Sequence, residues 1–130
     1  NCSVIISSKR IGSPLIKNPN VLIAMNGPSL DAFENEVAAG GTIIVNSSII
    51  ERKVKRNDVK AIYAPLTEIA ANLGLKAAAN AVAVGVYLGH DKVFGRERIY
   101  DVLRTSFKKK DAVDLNIKAV DAGYQFVQTA

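Results

Sequence analysis

Tryptophan is absent from this 130-residue chain, and cysteine, histidine and methionine occur once each. A single cysteine, Cys2, excludes a disulfide within the chain and any set of thiolates able to hold an iron–sulfur cluster. One histidine beside one cysteine also leaves no zinc-type ligand set and no Cys–His pair at motif spacing. Gly-x-Gly-x-x-Gly and Walker A patterns are both missing. Aromatic residues make up 6% of the chain and do not alternate with basic ones, so a nucleic-acid surface is not expected. The longest apolar run, 77–89, is interrupted by Asn80 and falls short of the roughly 20 residues a membrane span needs. No secretory leader is visible, and a cytoplasmic, soluble protein is expected.

What the chain has in quantity is aliphatic: hydrophobic residues make up 48%, mostly Ala, Val, Ile and Leu. The organising stretch is 18–50, NPNVLIAMNGPSLDAFENEVAAGGTIIVNSSII. Residues 21–24 and 42–45 are short apolar runs without alternation, as in strands buried on both faces. Between them Ser29 is placed to cap a helix with acids in its first turn, and Gly40-Gly41 to stop it. Two strands joined by a helix in this way are parallel. Further strands are expected at 4–6 and 60–64, the latter ended by Pro65. The expected fold is α/β: a three-layer α/β/α domain over 1–130 with a mostly parallel central sheet.

Residues 51–60 are highly charged and read as an exposed turn. Thr67 is placed to cap a helix over 67–73 that Gly74 stops. Residues 76–90 read as a helix apolar all round, hence buried, with Gly85 permitting close packing against a neighbour. An amphipathic helix over 96–107 presents Ile99, Val102, Leu103 and Phe107 on one face. The last helix, 111–127, carries the stripe Val113, Ile117, Val120, Tyr124 and Val127 opposite Asp114, Lys118, Asp121 and Gln125.

Charge is uneven. Segment 92–110 holds seven basic residues against two acids, which equals the net charge of +5 of the whole chain. A smaller basic cluster is Arg52, Lys53, Lys55 and Arg56. Both read either as solvated surface or as a docking face for an acidic partner or an anionic cofactor.

No catalytic spacing of Asp or Glu is present. His90, following a helix end, reads as structural, and Cys2 as a small core residue. Topology supplies the candidate site, because open parallel sheets bind at the carboxyl ends of their strands. There the chain places Met25, Asn26 and Gly27, then Asn46, Ser47 and Ser48, then Pro65, Leu66, Thr67 and Glu68. These groups either cap helices and turns or form a binding edge for a ligand or a partner subunit. Asn80, expected as a buried amide, is placed to tie the apolar helix to one of these loops.

The phrase NPNVLIAMNGPSLDAFE followed by AAGGTIIVNSSII resembles the γ subunit or γ domain of 2-oxoacid:ferredoxin oxidoreductases. The resemblance continues through Tyr63-Ala64-Pro65-Leu66-Thr67-Glu68-Ile69-Ala70 and Ala79-Asn80-Ala81-Val82 with Gly85, and so covers nearly the whole chain. The family's Gly-rich N-terminal unit is not in the sequence. The resemblance implies an accessory part of a complex that oxidatively decarboxylates a 2-oxoacid to an acyl-coenzyme A and reduces ferredoxin. It also implies that thiamine diphosphate and the iron–sulfur clusters are held by α and β partners, with no catalytic residue and no metal on this chain. A share in the coenzyme A site is an open implication. An open sheet edge beside strand 4–6 and an all-apolar helix add the expectation of a homo-oligomer in isolation. A nucleotide-binding α/β domain and a ligand-free assembly domain stand as alternatives.

Overall fold

The computed structural model describes residues 17–92 and 94–129. Strand 4–6 and Cys2 lie outside the described residues. In chain order the elements are β1 (Val21–Ala24), α1 (Gly27–Phe33), a 3-10 turn (Glu34–Glu36), β2 (Thr42–Asn46) and β3 (Lys60–Ala64). Then come α2 (Leu66–Asn72), a second 3-10 turn (Lys76–Ala78), α3 (Ala79–Asp91), α4 (Arg96–Ser106) and α5 (Lys110–Thr129).

The strands form a parallel sheet in the order β1-β2-β3. Ala24 pairs with Val45 and Asn46 with Ala64, so the three carboxyl ends finish nearly in step. Alternate side chains serve opposite faces. Ile23, Ile44 and Ile62 pack with Leu66, Ala70, Val82 and Val86 of α2 and α3. Leu22, Ile43, Val45 and Tyr63 pack with Leu30 of α1, Val37 and Ile50. All five residues of β2 are buried, which explains its unbroken apolar run. Each large aliphatic side chain enclosed this way contributes about 2 kcal/mol. Helices on one face, sheet, and α1 with the return loop on the other make the expected three layers.

α3 and α5 are packed backbone to backbone. A side chain on Gly85 would stand 2.0 Å from the Val120 carbonyl oxygen, so the close packing expected there is present. α3 is not apolar surface in excess: Val82, Ala83, Gly85, Val86, Leu88 and Gly89 are buried. The sheet, α2 and α5 cover it, which removes the apolar helix as a reason for self-association. α3 runs antiparallel to β2, since His90 Nε2 lies 3.0 Å from Thr42 Oγ1 at the strand's first residue. His90 thus sits within the last helical turn, as a tie to the sheet, and Lys92 in the left-handed region (φ 54°) ends the helix.

Several expectations are corrected. Asn26, not Ser29, caps α1: its Oδ1 accepts the Ser29 N–H at 3.0 Å, and no acid lies in the first turn. Gly40-Gly41 does not stop that helix, which gives way to the 3-10 turn at Glu34; Gly40 (φ 80°) instead bends the chain into β2. Helix α2 starts two residues earlier than a Thr67 cap requires, at Leu66, so Thr67 lies inside it rather than at its cap, while Gly74 (φ 77°) does follow its end. Asn80 is exposed, in the first turn of α3. On α4 the expected apolar face is only half covered: Val102 is 56% exposed and Phe107, just past its end, 39%.

Segment 51–59 is not a free turn either. Arg52 Nη2 donates to Asp31 Oδ1 at 2.8 Å and to Glu34 Oε1 at 3.0 Å. The Lys55 N–H donates to Glu34 Oε2 at 2.5 Å, and Arg56 donates to the Glu34 and Val37 carbonyls while pairing with Asp58. Glu34 is buried, which alone pushes its carboxyl up; the Arg52 and Lys55 hydrogen bonds and charges outweigh this and hold it below the ordinary value. Arg52 and Arg56 therefore fasten the return loop to α1 and the 3-10 turn after it, while Lys53 and Lys55 are exposed.

Candidate functional site at the carboxyl edge of the sheet

Asn46 is the centre of the edge. It is fully buried, and its amide reaches all three strand ends. Nδ2 donates to the Met25 carbonyl at 3.2 Å and to Thr67 Oγ1 at 3.0 Å. Oδ1 accepts from Leu66 N at 3.1 Å, Ser48 N at 3.3 Å and Thr67 N at 3.4 Å. Ser48 Oγ accepts the Glu68 N–H at 3.1 Å, and Ser47 N donates to the Ala64 carbonyl at 3.0 Å. The end of β2 thus caps α2 from outside, satisfying three donors that a helix start leaves orphaned.

The structure brings Asn26, Asn46, Ser47, Ser48, Thr67 and Glu68 to one edge, as the parallel strands require. Gly27 opens α1 beside them. Asn80 lies towards the same end, because α3 starts where β2 finishes, but its exposure rules out the buried tie expected of it. Asn26, Ser47, Ser48 and Glu68 are exposed and Asn46 is enclosed. The edge is a rigid polar surface whose buried amide fixes its shape. The sequence marked Asn46 as a strand end; its reach to Met25 and Leu66 depends on strand order and left no local signal.

Basic segment 92–110 divides in two. Arg96 lies 3.4 Å from Asp121 and stacks 4.2 Å over the Tyr124 ring, while Tyr100 donates to Asp121. Burial first, then the Asp121 carboxylate, pushes the Tyr100 hydroxyl up. Arg104 pairs with Asp101 at 2.8 Å. These pairs hold α4 on α5 and within itself. Lys92, Arg98, Lys108, Lys109 and Lys110 are exposed.

Among the described residues no three His, Cys, Asp or Glu side chains gather as a metal site. No described helix is long and apolar enough to cross a membrane.

Comparison with known proteins agrees with this architecture. The chain is 37% identical over 125 residues to ketoisovalerate oxidoreductase subunit VorA of Methanothermobacter marburgensis, covering 95% of this chain and 26% of that protein. It is 27% identical over 130 residues to 2-oxoglutarate synthase subunit KorC of the same organism, covering 95% of this chain and 69% of that one. The chain therefore spans about a quarter of the length of the VorA relative. A solved 2-oxoglutarate:ferredoxin oxidoreductase from Magnetococcus marinus shares the fold with a TM-score of 0.83 at 19% identity, covering 95% of this chain and 22% of that one. The gamma subunit of a keto/oxoacid ferredoxin oxidoreductase from Geobacter sulfurreducens does so with a TM-score of 0.76 at 21% identity, covering 85% and 65%. The family model for pyruvate ferredoxin/flavodoxin oxidoreductase matches residues 1–126, nearly the whole chain, and the protein belongs to that family.

Proposed function

We propose that this chain is the γ-type accessory part of a 2-oxoacid:ferredoxin oxidoreductase, a complex that decarboxylates a 2-oxoacid oxidatively to its acyl-coenzyme A ester. The family match across residues 1–126 carries the reading. Ketoisovalerate and 2-oxoglutarate stand in the names of the relatives, and the proposal stays at the class they share, the 2-oxoacids. Thiamine diphosphate, iron–sulfur clusters and coenzyme A belong to the complex, with α and β subunits as direct partners and ferredoxin as electron acceptor. The cytoplasm is the proposed location, and self-association of the isolated chain is proposed through the exposed Val102 side chain of α4.

The carboxyl edge of the sheet supports an assembly role over nucleotide binding. The first-turn N–H groups of α2 already donate to Asn46 and Ser48, and the exposed charge there is the acidic Glu68. That edge does not fit a phosphate, which needs free donors or cations. Exposed Asn26, Ser47 and Ser48 on a rigid frame suit hydrogen bonding to another polypeptide.

Native mass spectrometry of the complex purified through the full-length protein tests the reading. The expected result is a stoichiometric assembly with thiamine-binding subunits. Recovery of the protein alone, or only with unrelated proteins, would overturn it.

A further inference from the structure

The junction of α4 and α5 combines an apolar depression with unpaired positive charge. A shallow notch of about 280 Å³ opens between the second 3-10 turn, the end of α4 and the start of α5. Leu75, Ala77, Phe107, Ala112 and Leu115 line it, together with the polar Asn116, whose amide Nδ2 donates to the Ala112 carbonyl. Its apolar wall stays partly in water: Phe107 is 39% exposed. Lys108, Lys109 and Lys110 follow Phe107 directly, all exposed, and no ion pair holds them among the described residues. This sets them apart from Arg96 and Arg104, whose partners Asp121 and Asp101 lie within the domain. About 100° of turn per residue puts Lys110 on the side of α5 away from Ala112 and Leu115, one turn before Asp114, and Asp111 on the flank, so the charge next to the notch is that of Lys108 and Lys109.

We propose that this corner docks another protein of the complex through a segment that inserts one apolar side chain into the notch and surrounds it with carboxylates. The occupant follows from the chemistry. A notch lined mainly by apolar carbons rewards an apolar side chain, and the exposed Lys108 and Lys109 that follow Phe107 reward negative charge and disfavour basic competitors. A nucleic-acid strand would need successive stacking rings along a basic groove, and here one ring, Phe107, stands at the mouth. The inference rests on the accessory-subunit reading, which supplies the other proteins. It adds which surface meets them and with what charge.

Lysine footprinting of the purified native complex, beside the full chain expressed alone, tests it. Acetylation of Lys108 and Lys109 is expected to be at least about tenfold slower in the complex. Lys118, exposed on the polar stripe of α5, is expected to react equally in both. A water-soluble carbodiimide, which joins amines to carboxylates at contact, is expected to link the protected lysines to Asp or Glu of another subunit. Equal acetylation in the two samples would overturn the proposal. So would protection accompanied by bound nucleic acid or lipid and no protein cross-link. Protection and cross-links to a protein in a complex without 2-oxoacid oxidoreductase subunits would overturn the accessory reading and leave the docking corner standing.

Discussion

Gly85 of α3 and Gly123 of α5 are reciprocal contacts. A Cβ on Gly85 would lie 2.0 Å from the Val120 carbonyl oxygen, and a Cβ on Gly123 2.0 Å from the Val82 carbonyl oxygen. Each helix rests its backbone in the space the other's glycine leaves. Gly85→Ala and Gly123→Ala are each expected to cost about 3 kcal/mol or more, because the obstacle is backbone and cannot rotate away. Gly89→Ala, whose Cβ would meet Tyr124 O at 3.1 Å, is expected to cost less. Urea unfolding of the three variants measures the order, and wild-type stability for Gly85→Ala would contradict the packing.

Asn46→Ala is expected to destabilise by about 3 kcal/mol, since it strips acceptors from the Leu66 and Thr67 N–H groups and a donor from the Met25 carbonyl. Thr67→Ala removes one contact of the same network and is expected to cost about 1 kcal/mol. In the double variant the two costs are expected to fall short of additive, because the Asn46 Nδ2–Thr67 Oγ1 hydrogen bond is already lost in either single variant. Full additivity in a denaturant cycle would show that the two side chains act separately.

Glu34 makes stability depend on pH. Its folded pKa lies below the ordinary value of 4.5, so the unfolded chain binds its proton first as pH falls. The stabilisation is fully present above about pH 4.5 and is lost as pH falls through the lower folded value. Glu34→Gln is expected to lose about 2 kcal/mol at neutral pH. The gap to the wild type is expected to close in strong acid. Thermal melts across this range measure it, and a gap unchanged down to strong acid would place the titration elsewhere.

Lys92 holds the left-handed conformation that ends α3, at φ 54°. Its N–H donates to the Leu88 carbonyl at 3.0 Å. Lys92→Gly is expected to raise stability by about 1 kcal/mol by removing the Cβ clash of that conformation. A lowered midpoint in thermal unfolding would show that the lysine side chain contributes more than its backbone costs.

The strands were legible because β2 and its neighbours are covered on both faces, so Ile43, Ile44 and Val45 stand in an unbroken apolar run. Gly85 was legible because it interrupts such a run. Gly123 was not, since a glycine inside the amphipathic pattern of α5 gives no sign of the carbonyl it faces. Capping was misread for a related reason. Ser29 and Thr67 stand nearest the helix starts along the chain, whereas the acceptors come from Asn26 three residues earlier and from Asn46 across the sheet. The charge of Arg52 and Arg56 looked like solvated surface. Only the return of the loop onto α1 brings Glu34 within reach. At the candidate site, parallel strand order predicted the shared edge, while the division into one buried organiser and several exposed groups required the fold. Asn80 was misjudged because the helix begins at Ala79, which leaves the amide in the exposed first turn.

Reconstitution tests the accessory role most directly. The full chain and the α and β subunits from the same source would be assayed separately and together for reduction of a viologen dye with a 2-oxoacid and coenzyme A. The account predicts no turnover by this chain alone, and full turnover by the α and β subunits only once it is added. Turnover by this chain alone, or by the other subunits at the same rate with and without it, would contradict the account.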